Sequence, residues 1–328
     1  MFKYIVKRLG LSLIILLGAS VIIYFLVRLM PSDYVETKFS AQLSMGHITM
    51  DDINRMKALY GLDGSILTGY FSWISNFIRG DLGLSFIHEE PVIDVIFEKM
   101  QISFLLALIA TVLQFLLAIP LGIVSATKQY GATDYTVTVL AMMGISLPSF
   151  FFAALLLKVF AVDLGWFPLQ GLVDATRLIT PGSIEYHLDR LHHLVLPMTV
   201  LVVLGIGGLM RYVRTNMLEV LNSDYIRTAR AKGLSEHAVI YSHAFRNTLI
   251  PLVTMMAGIL PGLFAGAMIT ETVFAIPGIG QAAYNAVKMG DVPLIMAYTM
   301  FGSVLAILGV LMSDLMYAVV DPRVKLFR

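Results

Sequence analysis

Six apolar stretches set the first limit on what this chain folds into, because each is about 20 residues or longer and, as a helix, crosses ~30 Å of hydrocarbon. They fall at approximately 9 to 29, 101 to 125, 135 to 161, 194 to 214, 250 to 272 and 294 to 319. Within lipid every backbone N–H and C=O must be satisfied by the protein itself, which leaves helices or a closed barrel. A barrel needs alternating strands of about 10 residues, and these runs are longer and continuous. With 58% hydrophobic and 14% charged residues, against roughly 25% charged in soluble domains, the expected fold is all-α: a polytopic membrane protein with six transmembrane helices in a lipid bilayer. The net charge of +1 provides no general surface for a polyanion, so nucleic acid is not an expected partner. None of the 328 residues is Cys, which removes disulfides, thiolate metal sites and cysteine nucleophiles.

Charge orders the loops. The polar stretch from Pro31 to Met100 is rich in acids, among them Asp33, Glu36, Asp51, Asp52, Asp63, Asp81, Glu89, Glu90, Asp94 and Glu98. Basic residues crowd the N-terminus, the 211 to 249 loop (Arg211, Arg214, Arg227, Arg230, Lys232, Arg246) and the tail (Arg323, Lys325, Arg328). The positive-inside rule places these three in the cytoplasm, and an even number of spans agrees by putting both termini there. Lys3, Lys7 and Arg8 before an apolar run imitate a secretory signal, with Gly18, Ala19 and Ser20 as the hint of a cleavage site. The run from Leu9 to Val27 exceeds the usual 7 to 15 residue signal core and reads as a retained first span. Three regions follow: 1 to 30, tail and first helix; 31 to 100, extracytoplasmic; and 101 to 328, a five-helix core containing a cytoplasmic loop at 215 to 249. No internal repeat accompanies them.

Between two of the runs lies a polar helical hairpin, DYIRTARAKGLSEHAVIYSHAFRNTLIP, from Asp224 to Pro251. Ser223 and Asp224 are suited to cap a short helix, and Gly233 to end it in a left-handed conformation. Ala229 and Gly233, one turn apart, predict a face without bulk that a partner's groove approaches closely. The plainer alternative is a solvated loop whose cations only set topology.

Other features carry local expectations. Tyr70, Trp73 and Phe77 at i, i+3 and i+7 predict an amphipathic helix at the membrane interface, packing its aromatics, with Gly80 as its stop. The 162 to 193 loop, with Pro168 and Pro181, reads as an irregular cap. Gly258, Gly262 and Gly266 at four-residue spacing predict a close-packing helix face, with Pro261 as a possible bend. Pro148 interrupts the third span, where the hydroxyls of Ser146 and Ser149 are placed to satisfy freed carbonyls or line a polar path. Lys158 and Glu271 lie near span ends and are expected to snorkel to headgroups. Asp314 sits deeper and is expected to pair with Arg211 or Arg214, a proton-relay role being the alternative.

Chemistry is scarce. No G-x-x-x-x-G-K-[ST] phosphate cradle is present, so driving energy has to come from elsewhere. His187, His192 and His193 lack the i, i+4 spacing of a helical zinc motif, and His88 with Glu89 and Glu90 lacks the second histidine of H-E-x-x-H. No G-x-S-x-G elbow supports a hydrolase. A secondary transporter would need midplane ion ligands and paired broken helices, and the sequence offers neither.

FKYIVKRLG, YGLDGSILTGYFSW, GDLGLSF (Gly80 to Phe86), LGWFP (Leu164 to Pro168), RYVRTNMLEVL, DYIRTARAKGL, HAFRNTLIP, ETVFAIPGIGQ (Glu271 to Gln281) and DPRVKL form an ordered set over the whole chain. Together they resemble the B-type permeases of bacterial oligopeptide and dipeptide ATP-binding-cassette (ABC) importers. The resemblance implies a type I ABC importer permease fold in the bacterial plasma membrane, with 224 to 249 carrying a coupling helix that docks on an ATPase. The wider family has Glu-Ala-Ala where this chain has Arg227, Thr228 and Ala229; Gly233 is kept, and His243 to Arg246 replace Ile-x-Leu-Pro. Asp224, Tyr225, Ala229, Gly233 and Leu234 are the implied coupling residues, and Ser146, Ser149, Met255, Met256 and Thr270 the implied lining of the substrate path. No catalytic residue, metal or cofactor is implied in this chain, since ATP and Mg²⁺ belong to partner subunits. Those partners are a homologous second permease, two ABC ATPases and an extracytoplasmic peptide-binding protein that delivers peptide. Nickel-chelate and glutathione importers share much of the pattern.

Overall fold

The structure, a computed structural model, describes residues 2–29, 49, 51, 65–177 and 180–320; the side chains of 2–7, 250, 253, 254, 256, 257, 260 and 313–320 lie outside that description. In chain order the helices are α1 (Phe2–Arg28), α2 (Ile66–Ile78), α3 (Val92–Thr127), α4 (Ala132–Ser146), α5 (Ser149–Leu156, continued by a π-helical stretch Leu157–Asp163) and α6 (Ile184–Leu221). There follow α7 (Asp224–Ala231), a π-helical stretch Ala238–Phe245, α8 (Arg246–Ala265), α9 (Met268–Val273), α10 (Ile279–Met289) and α11 (Val292–Val320). Among the described residues the extended structure is one isolated bridge between Leu84 and Pro91.

Each of the six apolar runs falls on helix, but the helices are not six equal spans. Four are long and apolar enough to cross a bilayer: Arg8–Arg28, Val92–Thr127, Ile184–Leu221 and Val292–Met312. The third run is two helices, α4 and α5 with its π extension, meeting at 102°. Pro148 is the cause: it donates no hydrogen bond and forces its predecessor out of the helical region, and Leu147 is extended at φ −80°, ψ 127°. The fifth run gives the 20-residue α8, which holds Pro251 and Pro261 and stops at Gly266, φ 76°. Gly266 therefore ends the helix and does not extend the predicted glycine face; Gly258 and Gly262 remain on it and are exposed.

Three buried clusters hold the bundle together. At one end Tyr24, Val27, Val92, Ile96, Leu294 and Ile295 join α1, α3 and α11. In the middle Leu106, Ala153, Leu156, Val200 and Ile276 join α3, α5, α6 and the segment after α9. At the other end Ile123, Met210, Val213, Met217, Ile226 and Val239 join α3, α6, α7 and the second π-helical stretch. Small residues set the helix spacing. A Cβ at Gly122 would lie 2.9 Å from the Met210 carbonyl, and one at Gly144 would lie 2.8 Å from that of Val203, so α6 runs almost backbone to backbone with both α3 and α4.

The aromatic residues of α2 pack as predicted, but against α1. Tyr24 meets Tyr70 at 5.6 Å and Trp73 at 5.7 Å between ring centroids, and the Tyr70 and Ser20 hydroxyls are 3.0 Å apart. The helix closes at Arg79, followed by Gly80 at φ 83°. Residues 164–177 and 180–183 are irregular, and α6 begins at Ile184 within the predicted loop.

Candidate functional site

At the end of α6 the chain turns through Ser223 into α7. Ser223 occupies the N-cap position, but its hydroxyl donates to the Val220 carbonyl at 2.6 Å and leaves the helix amides uncapped. Gly233 adopts φ 77°, the left-handed turn foreseen for it. The small-residue face is placed differently from expectation. Helix α7 ends at Ala231, so Gly233 lies beyond it and shares no helical face with Ala229. Ala229 is 6% exposed and Ile226 fully buried; both belong to the buried cluster that also holds Val239 of the second π-helical stretch and Val213 and Met217 of α6. What faces outward is Asp224, Tyr225 (47% exposed), Gly233 and Leu234 (41%). Gly233 has open space around it. Arg230 is tied back to Glu236 at 2.9 Å and Arg227 approaches Asp224 at 3.6 Å, so part of the local positive charge is spent internally.

Behind this hairpin stands a polar knot that sequence reasoning missed. Arg214 of α6 donates through Nε and a terminal nitrogen to both oxygens of Asp134, each at 2.9 Å. Asp134 also accepts from the Ser125 hydroxyl, from the Tyr130 amide at 3.0 Å and from the Thr138 hydroxyl at 3.3 Å. Planar two-point pairing of guanidinium and carboxylate is the strong form of this contact. It welds α3, α4 and α6 where α7 is attached. Arg214 is thus committed to Asp134; the Asp314 side chain, its expected partner, lies outside the described residues.

Two more carboxylates are fully buried, Glu271 and Asp291. Glu271 was expected to snorkel. It points inward because Gly266 breaks the chain ahead of α9, and it accepts from the Ser103 hydroxyl (2.8 Å) and from the amides of Ala267 (2.8 Å) and Gln281 (3.0 Å). Gly278 makes the room: a Cβ there would sit 2.5 Å from Glu271 Oε2. The glycines following an acid in ETVFAIPGIGQ were the available signal. Asp291 accepts from the Ser85 hydroxyl at 2.6 Å and from the amides of Ile87 and Leu294 at 3.1 and 3.3 Å, which explains the serine of GDLGLSF. Lys158, by contrast, is exposed and pairs with Asp163 at 2.5 Å, as a residue near a span end can.

The expected path-lining residues do not form one surface. Ser146 and Ser149 flank the 102° bend; Ser146 is exposed and its hydroxyl donates to the Met142 carbonyl at 2.9 Å. Met255 is half-buried against the cluster around Met217, and the Met256 side chain is not among those described. Thr270 is 3% exposed, packed inside the chain, which takes it off any open path within this subunit. Of the histidines in and beside the 162 to 193 loop, His192 has Nε2 2.8 Å from the Trp166 carbonyl and His193 has Nδ1 2.9 Å from that of Asp189.

Long apolar helices, a broken span and a short polar helix at one end define a multi-pass membrane protein. Residues 118–326 match the family described as the binding-protein-dependent transport system inner membrane component, and residues 1–107 match its N-terminal part. The chain belongs to that family. Among its relatives, the oligopeptide transport system permease protein AppB of Bacillus subtilis is 36% identical over 99% of this chain and 100% of that protein. The dipeptide transport system permease protein DppB of Lactococcus lactis is 36% identical over 99% and 100%. Among solved structures, an inward-facing MetNI methionine ABC transporter aligns with TM-score 0.52 at 16% identity, over 70% of this chain and 97% of that one. At that identity the likeness speaks for the fold.

Proposed function

We propose that this chain is one permease subunit of an ATP-driven ABC importer of oligopeptides or dipeptides. The observation that carries the proposal is end-to-end similarity to permeases named for peptide transport. A homologous second permease completes the translocation path, two ABC ATPases hold ATP and Mg²⁺ below it, and a peptide-binding protein delivers cargo outside. Both termini and α7 lie in the cytoplasm, in accord with the clustered cations. The chain supplies no hydrolytic chemistry of its own. It receives motion through Tyr225, Leu234, Asp224 and the Gly233 turn, which protrude from α7 and its exit. Ala229 and Ile226 pass that motion inward through the buried cluster that joins α7, the second π-helical stretch and α6. ATP-driven closure of the ATPases then rocks the bundles as rigid bodies, provided nucleotide and loaded binding protein favour different states.

The test is to purify the native complex through a tag on this chain, identify its companions by mass spectrometry, and measure peptide uptake and ATP hydrolysis in proteoliposomes. ATP-dependent uptake of peptide with ATPase subunits present supports the assignment. Gradient-driven uptake by the chain alone, or companions lacking a nucleotide-binding fold, overturns it.

A further inference from the structure

Helix α2 has three faces, and among the described residues one of them is an exposed apolar stripe. Ile66, Tyr70 and Trp73 pack on the cluster around Tyr24. Ser72 and Asn76, on an adjacent flank and themselves exposed, border a cavity of about 350 Å³ that Tyr24, Trp73, Arg28, Asp81 and the start of α11 also line. Leu67, Phe71 and Ile78, at i, i+4 and i+11, form a stripe that is 64%, 67% and 77% exposed. A helix of 13 residues rises about 20 Å and does not span a bilayer.

Its depth is fixed by α1. The apolar window of α1 runs from Arg8 to Arg28, 21 residues, which at 1.5 Å per residue is about 31 Å and matches ~30 Å of hydrocarbon. Helix α2 crosses α1 at Ser20 and Tyr24, where the Ser20–Tyr70 hydroxyl contact and the Tyr24 ring contacts lie. Those positions are roughly 6 to 12 Å along the helix below Arg28. On α1 at the same level Val21, Ile22 and Leu26 are exposed as well. The stripe is continuous with the lipid-facing surface of a spanning helix.

We propose that α2 lies in the membrane leaflet at the Arg28 end of α1, with Leu67, Phe71 and Ile78 among the acyl chains and the exposed Ser72 and Asn76 on the flank that borders the cavity. The occupant of the apolar stripe is therefore lipid. The contacts of Tyr70 and Trp73 with Tyr24 hold the short helix at this depth.

The absence of cysteine makes the test direct. Single variants Leu67→Cys, Phe71→Cys, Ile78→Cys and, as a control in the exposed loop, Ala175→Cys are labelled with a nitroxide in the full transporter in liposomes. Collision with oxygen and with a water-soluble nickel chelate is then measured. We expect oxygen access to dominate at 67, 71 and 78, with an oxygen-to-nickel ratio several-fold above that at 175. Nickel access dominating at the stripe (water), or low access to both probes (a protein partner covering it), overturns the proposal. A second readout leaves α2 unaltered: in Trp166→Phe, Trp73 is the only tryptophan left. Lipids brominated along the acyl chain should quench it strongly, and absence of quenching would count equally against the assignment.

Discussion

At Glu271 a carboxylate with no solvent contact accepts one hydroxyl and two amide hydrogen bonds. Such a group is stabilising only while every donor around it is answered. Glu271→Gln keeps the shape but brings an amide N–H toward a backbone N–H, and should cost about 1–3 kcal/mol, read as a lowered thermal midpoint of the purified protein in detergent. Glu271→Ala should cost more, since three donors lose their acceptor. Gly280→Ala tests the same knot from outside: its Cβ would lie 2.7 Å from the Met268 backbone. Rigid backbone cannot yield as a side chain does, so a loss of about 1–3 kcal/mol is expected. If Glu271→Gln melted with the parent protein, the buried carboxylate would not be holding α9 to α10.

Among the elements, α4 and α6 depend on one charged pair. Asp134→Ala strands the Arg214 guanidinium, and since the two side chains are 5% and 23% exposed, the loss should be about 3 kcal/mol. Arg214→Lys keeps the charge but not the two-point fork and should lose less. Unfolding both variants by heat in detergent checks the order, and equal losses would mean that charge alone matters. The helices themselves were legible: the six apolar runs, the break at Pro148, the turn at Gly233 and the packing of Tyr70 and Trp73 all follow from local chemistry. Pairs distant in sequence were not. Asp134 and Arg214 are 80 residues apart and Ser85 and Asp291 206 apart, and no periodicity or spacing marks such partners. The burial of Ala229 was hidden for a related reason. A small residue suits a partner's groove and its own chain's core equally well, and only the folded chain, which sets it in the cluster with Ile226 and Val239, shows that it is covered from within.

For the molecule as a whole, the exposed residues of the α7 hairpin stand just beyond one end of α6. Tyr225→Asp and Leu234→Asp place charge on the outward face and leave the buried Ile226 and Ala229 alone, so the chain should insert and fold normally. In the assembled transporter we expect at least a tenfold fall in uptake, about 1.4 kcal/mol or more in coupling, with ATP hydrolysis retained or the ATPases lost from the complex. Unchanged uptake would remove this face from energy transfer. Helix α6 itself has 38 residues with Pro197 inside it, about 57 Å along its axis, nearly double the thickness of the oily slab around it. A seesaw of that length has one soft point, where the proline ring removes a backbone hydrogen bond: swung as one body by about 10° about its middle, its two tips travel about 5 Å in opposite directions. A nudge delivered at Leu221 reappears, reversed, at Ile184 only while the turn at Pro197 stays stiff.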